Sequence, residues 1–241
     1  MEIETIINRL GGLAGLTYAE FPCTPGRLAL PDVACDLIWT GSELLFVGPM
    51  SKGLIVKRAF RKMGVLTISA ADAIRLVRRP LSELTDLTVP IADLAPDLAN
   101  PMIDLFGLGG GARLVSPPVT RGDGSDDVSF AARALSRGAR PGWVADRIGM
   151  TGRHLRRRFN ETFGLSPEQF GQIQRLRYAI RLVRAGQSLA MASALSGYAD
   201  QPHLNRQCRS LTGLSPTNAI SRLGGLDEVV AEARNEKEPA V

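Results

Sequence analysis

Residues 154–167 read HLRRRFNETFGLSP and residues 203–216 read HLNRQCRSLTGLSP. Seven of the fourteen positions coincide at a constant offset of 49 residues: the His-Leu pair, the arginine two positions later, and Gly-Leu-Ser-Pro. Each copy follows a short helical stretch with a small residue inside it and a glycine after it, Ala145 and Gly149 in the first, Ser193 and Gly197 in the second. A small side chain lets two helices cross closely, and a glycine accepts the positive φ of a tight turn. The duplicated unit is therefore a helix-turn-helix. Gly164 and Gly213 suit the position just past a helix end, and Ser166 and Ser215 cap the next helix with Pro167 and Pro216 at its first position. Gln169, three residues after Ser166, completes a capping box.

The second helix of each unit has two chemically different faces. Leu155, Phe159 and Phe163 form the inner stripe of the first, with Thr151 as N-cap; Leu204, Cys208 and Leu211 form that of the second. The opposite face of the first carries Arg153, Arg156 and Arg157, with Arg158 and Asn160 flanking. That of the second carries Gln201, Asn205, Arg206 and Arg209. Arginine, asparagine and glutamine are the side chains whose donors and acceptors fit guanine and adenine edges in the major groove. Between the units, Pro167–Ala185 reads as one helix, with Phe170, Ile173, Leu176, Ile180 and Val183 as its core stripe. Nineteen residues span about 28 Å, a length that can hold two recognition helices in successive major grooves, which recur at about 34–36 Å.

Charge is distributed accordingly. Residues 127–223 hold fifteen arginines, no lysine and five carboxylates, a balance of +10, whereas residues 1–126 balance at −2 and 224–241 at −3, giving the net +5. A basic domain on an otherwise near-neutral chain points to a polyanionic partner.

The first third reads differently. Short apolar runs at Leu16–Phe21, Val33–Trp39, Glu43–Val47, Leu54–Val56 and Val65–Ile68 lie between glycines and prolines, the pattern of an antiparallel sheet. Ser69 caps a helix running to Arg78, and Pro80–Asp86 and Ile91–Leu98 are short helical segments; residues 3–9 read as another helix. Eight glycines and prolines fall within residues 107–126, the composition of a flexible linker. The fold class expected is α+β: a mixed strand and helix domain over residues 1–106, the linker over 107–126, an all-α domain of about seven helices with the two helix-turn-helix units over 127–223, and an acidic, disordered tail over 224–241.

Other chemistries find little support. Three cysteines without CxxC spacing and two histidines 49 positions apart make neither a disulfide framework nor a zinc site. Cys35-Asp36 resembles a nucleophile beside a carboxylate, but no histidine precedes His154, and a buried structural cysteine is the plainer reading. Asp32 and Asp36, four apart in a strand-like run, read as surface carboxylates. The acidic start, Met1-Glu2-Ile3-Glu4, lacks a signal-peptide layout and no apolar run is long enough for a bilayer. The expectation is a cytoplasmic protein that is no enzyme and needs no cofactor or metal.

From about Val128 to Leu223 the chain resembles the DNA-binding domain of the AraC/XylS regulators, most specifically in HLRRRFNETFGLSPEQF, Arg175-Leu-Arg177 and GYADQPHLNRQC. The resemblance implies base-reading roles near Arg153, Arg156, Arg157, Gln201, Pro202, Asn205 and Arg206, with backbone contacts from Arg209 and the helix starts at Thr151 and Gly152. Leu204, Cys208 and Thr212 stand where the family has aromatics and Ser193 where it has alanine, so the second unit is expected to pack less tightly and the first to dominate affinity. LPDVACDLIW and PLSELTDLTVPIADL are similar to the sensor-like domain of some members, although LTISAAD departs from the segment usual between them. The implied partner is double-stranded promoter or operator DNA. RNA polymerase, a second copy of the chain through the N-terminal domain and a small-molecule effector are the further partners a regulator of this family admits; a membrane is not among them. Two competing readings are an architectural, sequence-tolerant DNA binder and a protein–protein interaction module.

Overall fold

The structure, a computed structural model, describes residues 17–107 and 127–224. The expected helix at 3–9, nearly all of the linker and the acidic tail beyond Gly224 lie outside the described residues.

The strands among the described residues are β1 (Thr17–Cys23), β2 (Leu28–Ala29), β3 (Cys35–Trp39), β4 (Leu44–Val47), β5 (Leu54–Ile55), β6 (Phe60–Ile68) and, after the first helix, β7 (Thr88–Pro90). Five make an antiparallel sheet in the order β1-β6-β3-β4-β7, and β2 pairs with β5 as a separate ribbon. Alternation of side chains along a strand gives the sheet two different faces. Cys35, Leu37, Leu44, Phe46, Leu66 and Ile68 point one way, into a core closed by α1 (Ala70–Val77), α2 (Ile91–Leu94) and α3 (Pro96–Gly107). Ile38, Met63 and Val65 point the other way, towards the β2–β5 ribbon. Ser69 caps α1 as expected, its hydroxyl accepting from the Asp72 amide. Val33 and Ala34 are not part of β3: the Asp32 carboxylate takes both of their amides, at 2.7 and 3.2 Å, and holds the backbone in a turn rather than a ladder.

The second half is helical among its described residues: α4 (Asp127–Ser136), α5 (Pro141–Arg147), α6 (Gly152–Phe163), α7 (Pro167–Arg184), α8 (Leu189–Leu195), α9 (Gln201–Thr212) and α10 (Pro216–Arg222). The α+β class and the seven helices agree with the sequence. Each boundary has its cause in the residues already named. Ser166 and Gln169 form a complete capping box at the start of α7, and Ser215 accepts from the Asn218 amide at the start of α10. Gly164 (φ 67°) and Gly213 (φ 76°) end α6 and α9 in the left-handed conformation, which costs a residue with a Cβ about 1–2 kcal/mol.

The halves are packed together. Leu28 and Leu30 of the strand half are buried in one cluster with Ile173, Leu176, Leu204, Cys208 and Leu211. Phe163 at the end of α6 packs against the strand half's core. Asp32 and Asp36, read from sequence as surface carboxylates, are instead buried. Asp36 accepts from the Thr67 hydroxyl at 2.6 Å, and Asp32 pairs with Arg177 of α7 at 3.2 Å.

Candidate nucleic-acid interface

In the first unit, α5 and α6 meet around Val144, Ala145, Leu155 and Phe159, all buried. Phe159, Phe163 and Phe170 form a ring cluster with centroids 4.9–5.4 Å apart, which fastens α6 to the connecting helix. With that face committed to the core, the other is left to solvent. Thr151, Gly152, Arg153, Arg156, Arg157 and Asn160 are all exposed, while Arg158 is half-buried. The Thr151 hydroxyl accepts from the His154 amide at 3.2 Å, as a helix cap should. Arg156 reaches the start of α7, where it pairs with Glu168 at 3.0 Å. Partial burial pushes that carboxyl up, but the backbone amide, the arginine and Ser166 together hold it below its ordinary range. An exposed pair of this kind is weak, so Arg156 is held in place yet remains available to a polyanion.

The second unit repeats the design with one difference. Gln201, Pro202, Arg206 and Arg209 are exposed on α9. Asn205, expected on the same face, is half-buried, and its Oδ1 is a buried acceptor with no hydrogen-bond partner. The reason lies in helix geometry: one residue along from buried Leu204, and three and seven before Cys208 and Thr212, position 205 sits on the edge of the inner stripe. Leu204 and Cys208 are fully buried despite their small size, because Leu28 and Leu30 of the strand half join their cluster. Among the described residues the buried polar atoms without partners are Ser196 Oγ, Tyr198 OH and Asn205 Oδ1, all in the second unit. The cap of α9 is Asp200, whose carboxylate accepts from the His203 amide at 2.6 Å. The 49-residue offset places Asp200 opposite Thr151, a signal present in the sequence but not used there.

Both recognition helices are anchored at their C-terminal ends by the strand half. The Thr85 hydroxyl donates to the Gly164 carbonyl at 2.6 Å. The Lys52 ammonium donates to the Ser210 carbonyl, and the Gly53 amide to the Leu211 carbonyl, each at 2.7 Å. The last carbonyls of a helix lack intrahelical partners, so these donors meet an existing need while fixing where each helix ends. The starts of α6, at Thr151–Arg153, and of α9, at Gln201 and Pro202, lie at the other ends.

Cys35 and Asp36 do not form a nucleophilic pair: they project from opposite faces of the sheet. Burial pushes the Cys35 thiol well above its ordinary value, and the Asp36 and Asp32 charges add to the effect. Among the described residues no cluster of three or more His, Cys, Asp or Glu is placed to hold a metal ion, and no helix is long and apolar enough to cross a membrane.

These features define a double helix-turn-helix DNA-binding domain. Residues 144–222 match the family model described as "Helix-turn-helix domain", and this segment is a helix-turn-helix domain of the AraC type. Among solved structures, the chain is similar to ToxT from Vibrio cholerae at 13% identity, covering 87% of this chain and 99% of that one with a TM-score of 0.44. It is similar to unsaturated fatty acid bound wild-type ToxT from Vibrio cholerae strain SCE256 at 12% identity, covering 88% and 96% with a TM-score of 0.45. The xylose-binding transcription activator xylR matches over 51% of this chain and 40% of its own, at 15% identity and a TM-score of 0.34. No curated protein matches the chain.

Proposed function

We propose that the protein is a sequence-specific DNA-binding transcription regulator that seats α6 and α9 in successive major grooves of one duplex. The observation that carries this reading is the common anchoring of the two helices: their ends at Gly164 and at Ser210–Leu211 are held by the strand half, and each keeps an exposed face, with Arg153, Arg156, Arg157 and Asn160 on α6 and Gln201, Arg206 and Arg209 on α9. The connecting helix, eighteen residues or about 27 Å long, is long enough to hold the two units apart for such a dock. Base reading falls to Arg153, Arg156, Arg157, Asn160, Gln201, Pro202, Asn205 and Arg206, and backbone contact to Thr151, Gly152 and Arg209. Selection of bound duplexes from a random pool tests the proposal. The expected motif has two half-sites about one helical turn apart; a pool that enriches no motif, together with weak affinity alike for all sequences, returns the architectural reading.

The strand half, with its limits near residues 106 and 127, is the regulatory part of this proposal. The sheet face opposite its helices and the β2–β5 ribbon enclose an apolar cavity of about 400 Å³, with Phe21, Ile38, Met63 and Val65 among its walls and Arg27, Lys57 and Arg58 beside them. That lining suits an apolar effector with an anionic end. Leu28 lines this cavity and is also buried in the cluster of the second helix-turn-helix, so a ligand that moves the ribbon also moves α9. RNA polymerase contact and self-association through the strand half complete the proposal; sedimentation with and without operator duplex tests the latter.

A further inference from the structure

A second basic surface lies outside the recognition helices. Between the end of α4, the middle of α7 and the α8–α9 turn is a cleft of about 760 Å³. Arg133, Arg137, Arg175 and Arg181 line it, and no carboxylate stands among its walls. No residue of the strand half contributes. Two of the arginines are held in place by aromatic rings: the Arg175 guanidinium lies 5.3 Å from the Tyr198 centroid, and that of Arg181 lies 5.5 Å from the Tyr178 centroid. Stacking of this kind orients the planar fork and limits the entropy lost when it binds. Ser196, also on the wall, is buried, and its hydroxyl has no hydrogen-bond partner. Buried polar groups are rarely left so.

The plainer account is that arginines near a helix end offset the partial negative charge of its carbonyls. It serves for Arg133 and Arg137 at the end of α4 and for Arg181 in the last turn of α7. It does not serve for Arg175, which lies in the middle of α7, nor for the unpartnered Ser196 hydroxyl. Four full cations also exceed the roughly half-unit negative charges of the α4, α7 and α8 ends taken together.

We propose that this cleft is a phosphate-binding site, in which the guanidinium forks take the oxyanions of a phosphodiester or phosphoanhydride. If the proposed function holds, the nearest source is the DNA backbone between the two recognition grooves; the alternative source of the same chemistry is a free phosphorylated molecule.

The test uses the full chain and the double variant Arg133→Ala/Arg137→Ala, at two exposed positions, with Arg181→Ala as a second, independent variant. In the first arm, affinity for a selected duplex is measured against salt. Each lost phosphate contact removes about 0.9 from the slope of log affinity against log salt. A shallower slope with an unchanged selected motif supports the site with DNA as its source. In the second arm, inorganic pyrophosphate is titrated calorimetrically into the chain without DNA. Binding by the natural chain that both variants lose, with the duplex slope unchanged, supports the site with a free phosphate as its source. An unchanged slope together with no difference in pyrophosphate binding overturns the proposal. A natural chain that binds no duplex sinks the functional reading instead, and the pyrophosphate arm still decides the cleft.

Discussion

Arg177, in the middle of the helix that joins the two helix-turn-helix units, forms a buried ion pair with Asp32 of the strand half. Its Nη1 lies 3.2 Å from Asp32 Oδ2 and also donates to the Pro31 carbonyl at 3.2 Å. The side chains are only 11% and 7% exposed. This pair ties the α7 rod to the strand half at the turn that precedes β3. Removing one partner of a buried pair leaves an uncompensated charge, at a cost of about 3–5 kcal/mol, whereas replacing both with apolar residues is often far milder. Asp32→Leu is therefore expected to lose several kcal/mol in denaturant unfolding, and Asp32→Leu/Arg177→Met less, although both lose the carboxylate's bonds to the Val33 and Ala34 amides. Equal losses in the two variants would show that the charges do not act as a pair.

The repeat offers an internal control for the docking of α6. Gly164 and Gly213 occupy equivalent positions with nearly the same φ. A Cβ on Gly164 would meet Thr85 Oγ1 and come within 2.8 Å of the Leu81 carbonyl, but one on Gly213 would meet nothing within 4 Å. Gly213→Ala is expected to cost the left-handed strain alone, about 1–2 kcal/mol. Gly164→Ala should cost more and loosen the contact with the strand half. Comparison of the two melting curves checks this.

Leu28 serves two neighbours at once, the wall of the apolar cavity and the core of the second helix-turn-helix. It is 1% exposed. Leu28→Ala is expected to destabilise the chain by about 2–5 kcal/mol. Hydrogen exchange should place the loss in the β2–β5 ribbon and in α9 together. Faster exchange confined to the ribbon would mean that the two are not coupled.

All three cysteines are free and buried, and burial raises the thiols of Cys23, Cys35 and Cys208. A raised folded-state value means that the native chain holds these protons more tightly than the unfolded chain does. Their contribution to stability is thus fully present below the ordinary thiol value of 9.0 and is lost as pH rises beyond it. Denaturation midpoints should be level, as far as the thiols govern them, from pH 7 to about 8.5 and decline above. At pH 7 iodoacetamide should label none of the three in the folded chain and all three in urea, as read by mass spectrometry.

On the face proposed to meet DNA, Arg156 and Asn205 are unequal. Arg156 is exposed and poised by Glu168, whereas Asn205 is half-buried. A bidentate base contact is worth about 1–3 kcal/mol of discrimination. Arg156→Ala is expected to weaken binding to the selected duplex roughly ten- to hundred-fold, and Asn205→Ala by less. Equal losses in a gel-shift titration would count against a dominant first unit.

Local chemistry made the helical half legible. The repeated Gly-Leu-Ser-Pro, the caps at Thr151, Ser166 and Ser215, and the apolar stripe of α7 act over a few residues, so their order along the chain is enough to draw each helix and its outer face. The alternating runs of the strand half likewise revealed a sheet, because side-chain alternation is a property of the strand itself. What the tertiary structure alone decided involves partners far apart in the chain. Asp32 looks like any exposed carboxylate until Arg177 is brought to it across 145 positions. Leu204 and Cys208 look too small for their sites until Leu28 and Leu30 fill in beside them. Asn205 looks outward until the angular position of its neighbours on α9 is fixed. Burial and pairing depend on which surfaces meet, and that is set by the packing of one half against the other, not by any short stretch of residues.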